Sequence, residues 1–142
     1  MKTKGLLVLA LAAMSFGANA QAWRQQYTNM TGSSTYADQI SIVDSNIAWV
    51  NGANGSASGV QIKASARTND GGETWVPGVY NGFGSTVVAK VLAAVSYDNA
   101  FCIAMDTNTS VAAPASFWKT TDGGANWSLV TGVMNASNTF AD

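Results

Sequence analysis

Two eight-residue stretches, TNDGGETW at Thr68 to Trp75 and TTDGGANW at Thr120 to Trp127, place their aspartates 52 positions apart (122 − 70 = 52). A fixed step of this size marks a chain built from copies of one supersecondary unit, each needing its neighbour to cover an apolar face. Sliding the sequence on itself by the same step extends the agreement without a gap. Trp23, Trp75 and Trp127 fall in one column, as do Ser33, Ser85 and Ser137, and Ala37, Ala89 and Ala141. Asn29 matches Asn81, Gly32 matches Gly84, Val43 matches Val95 and Ala48 matches Ala100, while Trp49 aligns with Phe101 and Val50 with Cys102. Chance recurrence of Asp-Gly-Gly would not carry large aromatics along in register. The chain therefore divides into repeat units over 23–74 and 75–126, with the start of a third at 127–142.

Each unit reads as four short strands. Ile40-Ser41-Ile42 alternates apolar with polar, Ile47 to Val50 is a compact apolar run, Ile62 to Thr68 leads into the Asp motif and Trp75 to Val79 leads out of it. The second unit repeats this at Val87 to Val95, Ala100 to Ala104, Ser116 to Thr120 and Trp127 to Val130. Four strands per repeat with no helical period between them predicts an all-β chain of propeller-blade units, about two antiparallel four-stranded blades plus remnants. Neither the short period of a parallel solenoid nor the leucine spacing of a leucine-rich array is present.

Ahead of the repeat, two lysines within Met1 to Lys4, an apolar run from Gly5 to Phe16 and the small-x-small triplet Ala18-Asn19-Ala20 form the pattern of an export signal over residues 1–20. Its apolar core is too short for a membrane-spanning helix, which needs roughly 20 residues, and no later stretch is long enough. Without this leader, five basic residues (Arg24, Lys63, Arg67, Lys90, Lys119) face eight acidic ones, a net charge of 5 − 8 = −3. That balance argues against nucleic acid as a partner, and the scattered basic residues offer no polybasic patch for an anionic membrane. Cys102 is the single cysteine, so packing and not cross-linking must stabilise the fold.

The Asp motif has a physical logic of its own. An aspartate in a tight turn accepts hydrogen bonds from nearby backbone amides, and the glycines after it adopt positive φ at little steric cost. Thr68 and Thr120 offer hydroxyls to the same network, and Trp75 and Trp127 bring large apolar surfaces to the following strand. The pattern resembles the Asp-box, or BNR repeat: Thr68, Asp70, Gly72, Thr74 and Trp75 match every fixed position, and Thr120, Asp122, Gly124 and Trp127 match in the second copy, where Asn126 replaces the threonine. Residues repeated in every unit serve the unit, so these nine are read as structural.

Chemistry has few other candidates. The sequence contains no histidine, which removes Ser-His and Cys-His pairs and His-ligated metals, and no cofactor or metal site is expected. Cys102 shares the column of Val50 and is read as a core thiol; Glu73 sits in the first turn; Asp98 and Asp106 flank a strand without calcium-loop spacing. Asn-x-Ser/Thr sequons begin at Asn29, Asn54, Asn108, Asn126 and Asn135. The connectors Asn51 to Gly59 and Met105 to Ala115 differ almost completely between units and are candidate recognition loops, or simple solvated links.

The leader implies an exported bacterial protein, secreted, periplasmic or on the cell surface, and the resemblance implies a propeller. Such propellers include sialidases, some endoglucanases, sortilin-type receptors and photosystem II assembly factors. A non-catalytic scaffold for a protein or glycan is one reading and a sialidase-like or polysaccharide-cleaving hydrolase the alternative. The sialidases imply three arginines, a Tyr–Glu pair and an acid; after the leader, only Arg24 and Arg67 remain. Because Trp23 opens the repeat in a fourth-strand column and Asp142 precedes a first strand, the chain is expected to be part of a larger molecule with further blades.

Overall fold

The computed structural model describes residues 24–32, 34–56, 62–108 and 115–132. The leader, Trp23, Ser33, Ser137 and Ala141 of the repeat columns, and parts of both connectors (57–61 and 109–114) lie outside them. Eight strands form two antiparallel sheets, neither closed on itself, and the described residues contain no helix. The first sheet orders β1 (Thr35–Ile42), β2 (Ala48–Asn54), β3 (Ala64–Thr68) and β4 (Val76–Val79); the second orders β5 (Val87–Ala94), β6 (Ala100–Asp106), β7 (Ala115–Thr120) and β8 (Ser128–Leu129).

The 52-residue register survives in space down to irregularities. A β-bulge breaks the pairing between Ala37 and Gln39 in β1, and another breaks it between Ala89 and Val91 in β5, so the unpaired residues are Asp38 and Lys90. The first hairpins turn alike, Val43 N–H donating to Ile47 O at 2.9 Å and Val95 N–H to Asn99 O at 2.9 Å. Asp44 Oδ1 accepts from Asn46 N and Ile47 N at 2.7 and 2.8 Å, a role Ser96 Oγ takes in the second hairpin with Asp98 N and Asn99 N.

Several expected boundaries move, the third strand of the first unit starting at Ala64 instead of Ile62 among them, and three of the shifts have a physical reason. The first strand begins at Thr35, earlier than the alternating Ile40-Ser41-Ile42, because the bulge at Asp38 resets the in-out alternation that period-two patterning detects. The second strands run to Asn54 and Asp106, taking in the first residues of both connectors. Gly52 is a poor strand former, yet only a residue without Cβ fits there, against Met30 Sδ, Ala64 O and Thr35 Cγ2. Trp75 and Trp127 stand one residue before β4 and β8 and close the turn instead of opening the strand.

The core lies between the sheets. Trp49, Tyr80 and Phe83 from the first unit and its exit segment pack with Leu92, Ala100, Cys102, Ala104 and Trp127 of the second. Tyr80 stacks on Phe83 with centroids 5.0 Å apart and tilts against Trp127 at 4.9 Å; Phe83 meets Trp118 at 4.6 Å. Aromatic pairs at these spacings add about 0.5–1.5 kcal/mol each beyond the area they bury.

Candidate functional site

The two Asp turns are near-copies. Thr68 Oγ1 donates to Asp70 Oδ1 at 2.7 Å and accepts from Gly72 N at 3.0 Å, while Thr74 gives Asp70 both its amide, at 2.9 Å to Oδ1, and its hydroxyl, at 2.5 Å to Oδ2. In the second turn Thr120 Oγ1 donates to Asp122 Oδ1 at 2.8 Å and accepts from Gly124 N at 2.9 Å. Asn126 replaces Thr74 without loss, its amide donating to Oδ1 at 2.9 Å and its side-chain Nδ2 to Oδ2 at 2.7 Å. The backbone donor captured by each aspartate lies four residues on, further than the two or three expected of a simple Asx turn, because two left-handed glycines lengthen the loop (φ 72° and 92°, then 71° and 82°).

These bonds decide what the carboxylates can do. The side-chain donor of residue 74 or 126, then its backbone amide, then the threonine hydroxyl hold Asp70 and Asp122 at about 2, below the ordinary 3.8. A carboxylate held there by a full set of donors is a poor proton carrier near neutral pH. Burial pushes the Cys102 thiol up to about 12, which makes it inert as a nucleophile. Glu73 faces Arg24 in an exposed pair at 3.9 Å, and Asp106 is lowered by the Thr86 hydroxyl and the Asn108 amide. No group of three His, Cys, Asp or Glu side chains gathers among the described residues.

The seam between the sheets holds polar residues that the repeat did not single out. Asn51, 1 % exposed, accepts from Tyr80 OH at 3.0 Å and donates to Ala89 O at 3.4 Å, a carbonyl beside the β5 bulge. Gln39 Oε1 accepts from Leu92 N at 2.7 Å and Ser41 Oγ from Ala94 N at 2.9 Å, so β1 side chains cap the edge of β5. Trp49 Nε1 donates to Ser96 O at 2.9 Å, and Asn81 Nδ2 to Ala125 O at 2.8 Å. Arg67 lies 4.1 Å over the Tyr97 ring and bonds Tyr97 O at 3.1 Å and Asp98 Oδ1 at 3.3 Å. Its guanidinium fills the space where any side chain at Gly123 would go, so that glycine is fixed by packing as well as by φ. The available sequence signal was polarity in strand columns: 52 positions on from Gln39, Ser41 and Asn51 stand Val91, Ala93 and Ile103.

The expectation that both tryptophans bury large surfaces holds for one. Trp127 is 5 % exposed, with its Nε1 unpartnered among the described residues, whereas Trp75 is half-buried and donates Nε1 to Gly72 O at 3.1 Å and Gln26 Oε1 at 3.2 Å. Trp127 packs in the core with Trp49 and Tyr80, whereas Trp75 has Gln26 beside it and lines a shallow open pocket with Ile40 and Ile42. Between that segment and β1 runs a groove of about 370 Å³ whose lining includes Gln26, Tyr27, Asn29, Thr35 and Tyr36. Tyr27 and Tyr36 are exposed, and the aligned residues of the second unit are Val79 and Val88. No family model, curated protein or solved structure matches the chain.

Proposed function

We propose that this is an exported, non-catalytic scaffold of a secreted or cell-surface protein, its sheets acting as blades of an Asp-box propeller, and that it binds a protein or glycan at the groove of the first unit. The observation that carries this reading is a division of labour between repeated and unrepeated residues. Both repeated carboxylates are consumed by their own turns, whereas the unrepeated tyrosines, beside Gln26 and Asn29, remain open to solvent. Aromatic faces beside amides suit a sugar ring or a peptide, combining apolar contact with directional hydrogen bonds. Transport out of the cell follows from the Met1 to Ala20 leader pattern.

Immobilised chain should retain oligosaccharides or extracellular peptides, and Tyr36→Ala should weaken retention about tenfold or more, the equivalent of 1.4 kcal/mol. The same preparation is expected to leave a fluorogenic sialoside and soluble polysaccharides uncleaved. Sugar release by the chain would overturn this reading in favour of the hydrolase.

A further inference from the structure

The seam between the two sheets is directional, and each of its halves has an exposed twin. On the first sheet the covering residues are Gln39, Ser41, Trp49 and Arg67; on the second the covered ones include Leu92, Ala94, the Ser96–Asp98 turn and Trp127. A shift of 52 forward turns the covering set into Val91, Ala93, Phe101 and Lys119, all exposed on the second sheet. A shift of 52 back turns the covered set into Ile40, Ile42, the Asp44–Asn46 turn and Trp75 of the first. Ile40 and Ile42 are 56 % and 69 % exposed where Leu92 is 2 %, and Phe101 is 37 % exposed where Trp49 is 1 %.

We propose that these faces are two halves of one head-to-tail interface, and that the partner is a second copy of this chain. The internal seam supplies the template: Val91 of one copy lies over Ile40 and Ile42 of the next, as Gln39 lies over Leu92. Phe101, stacked on Phe117 at 5.5 Å, enters the shallow pocket lined by Gln26, Ile40, Ile42, Ala48, Gly72 and Trp75, displacing the Gln26 side chain, which lies against Gly72 as Trp49 lies against Gly124. Lys119, in the column of Arg67, faces the turn aligned with that of Asp98, where Asp44 provides the opposite charge. Gln26, from the segment aligned with 76–84, already bonds Trp75, so the incoming copy brings β5 to β7 and its two-residue β8 gives way. The two seams differ in one respect. Gln39 and Ser41 accept from β5 amides, but Val91 and Ala93 have no side-chain acceptor for the amides of Ile40 and Ile42. The intermolecular contact is thus the weaker one, and it is heterologous, since each copy offers a different face.

Sedimentation velocity of the purified chain tests this, with circular dichroism and a thermal melt to show that each variant is folded. The wild type should associate as concentration rises, and Ile42→Asp and Val91→Asp should each lose association by about tenfold or more. Mixing those two variants should restore a dimer, because each keeps the face the other has lost. Val91→Gln with Ala93→Ser should tighten association by supplying the missing acceptors, a gain that loss of fold cannot mimic. A chain that stays monomeric at every concentration would overturn the proposal, as would association that survives both aspartates or a mixture that fails to pair.

Discussion

Trp75 and Trp127 close the same turn at the same place in the repeat, yet Trp127 is buried under the first sheet while Trp75 is half-open. The contrast runs through both sheets. Bulges at Asp38 and Lys90, hairpin turns at Asp44 and Ser96, and glycine pairs at 71–72 and 123–124 coincide residue for residue. What differs is the covering: Leu92 lies beneath another sheet, and its counterpart Ile40 faces solvent. Repeated residues build the skeleton of a unit, and the environment then decides how much each contributes. Trp127→Ala is therefore expected to cost about 3–5 kcal/mol, the range for emptying a large core site. Trp75→Ala should cost less than half as much, since much of its ring never leaves water. Urea denaturation followed by circular dichroism measures both, and equal losses would break the comparison.

A finer difference lies at Asn51 and its counterpart Ile103. Asn51 is buried with both ends of its amide used, bridging Tyr80 OH and Ala89 O, whereas Ile103 is only half-buried. Asn51→Leu leaves a hydroxyl and a carbonyl without their partner and is expected to destabilise by about 1–3 kcal/mol. Ile103→Leu, a similar change of side chain without polar loss, should stay below about 1.5 kcal/mol. A double-mutant cycle with Tyr80→Phe sharpens the point: if the Asn51–Tyr80 bond matters, the double variant should cost less than the two singles together. Strict additivity would mean that Asn51 acts through Ala89 alone.

The skeleton was legible in the sequence because its determinants are local and duplicated. Asp70, Gly72 and Thr74 lie within one turn, and the ungapped step carried that turn onto Asp122, Gly124 and Asn126. All eight strands were visible in outline, and their limits were misplaced where a bulge at Asp38 upset the alternation or where burial held Asn51 and Gly52 extended. The seam was harder to read because its bonds span 29 to 53 positions, from Asn51 to Tyr80 and from Gln39 to Leu92. No local pattern announces such a pair. The Tyr27 and Tyr36 groove was hidden for a related reason, since it forms where 24–30 lies against β1, and only the pairing of Tyr36 with Ala53 brings it beside the variable connector Asn51 to Gly59. The two aspects that escaped, seam and groove, are also the two that do not repeat.

The smallest expected difference separates the two Asp turns themselves, where Thr74 and Asn126 do the same work with different groups. Both carboxyls sit at about 2 in the folded chain against 3.8 for an ordinary aspartate. A group whose folded value is depressed contributes stability that is fully present above its unfolded value and is lost as pH falls through the folded one. The melting temperature should therefore be insensitive to these two groups near neutral pH and should fall between about pH 4 and pH 2 as both turns protonate. Asp122→Asn keeps an oxygen for the Asn126 amide but removes the charge, so the acid limb should become shallower, and adding Asp70→Asn should flatten it further. Asn126→Thr, which gives the second turn the chemistry of the first, should leave the limb where it was, because a hydroxyl donor holds Asp70 as low as an amide donor holds Asp122. Both carboxylates are exposed, so solvent screens them and the whole effect stays small beside the loss of Trp127. An acid limb unchanged in the double asparagine variant would show that the threonine hydroxyls and glycines fold these turns without help from the charge.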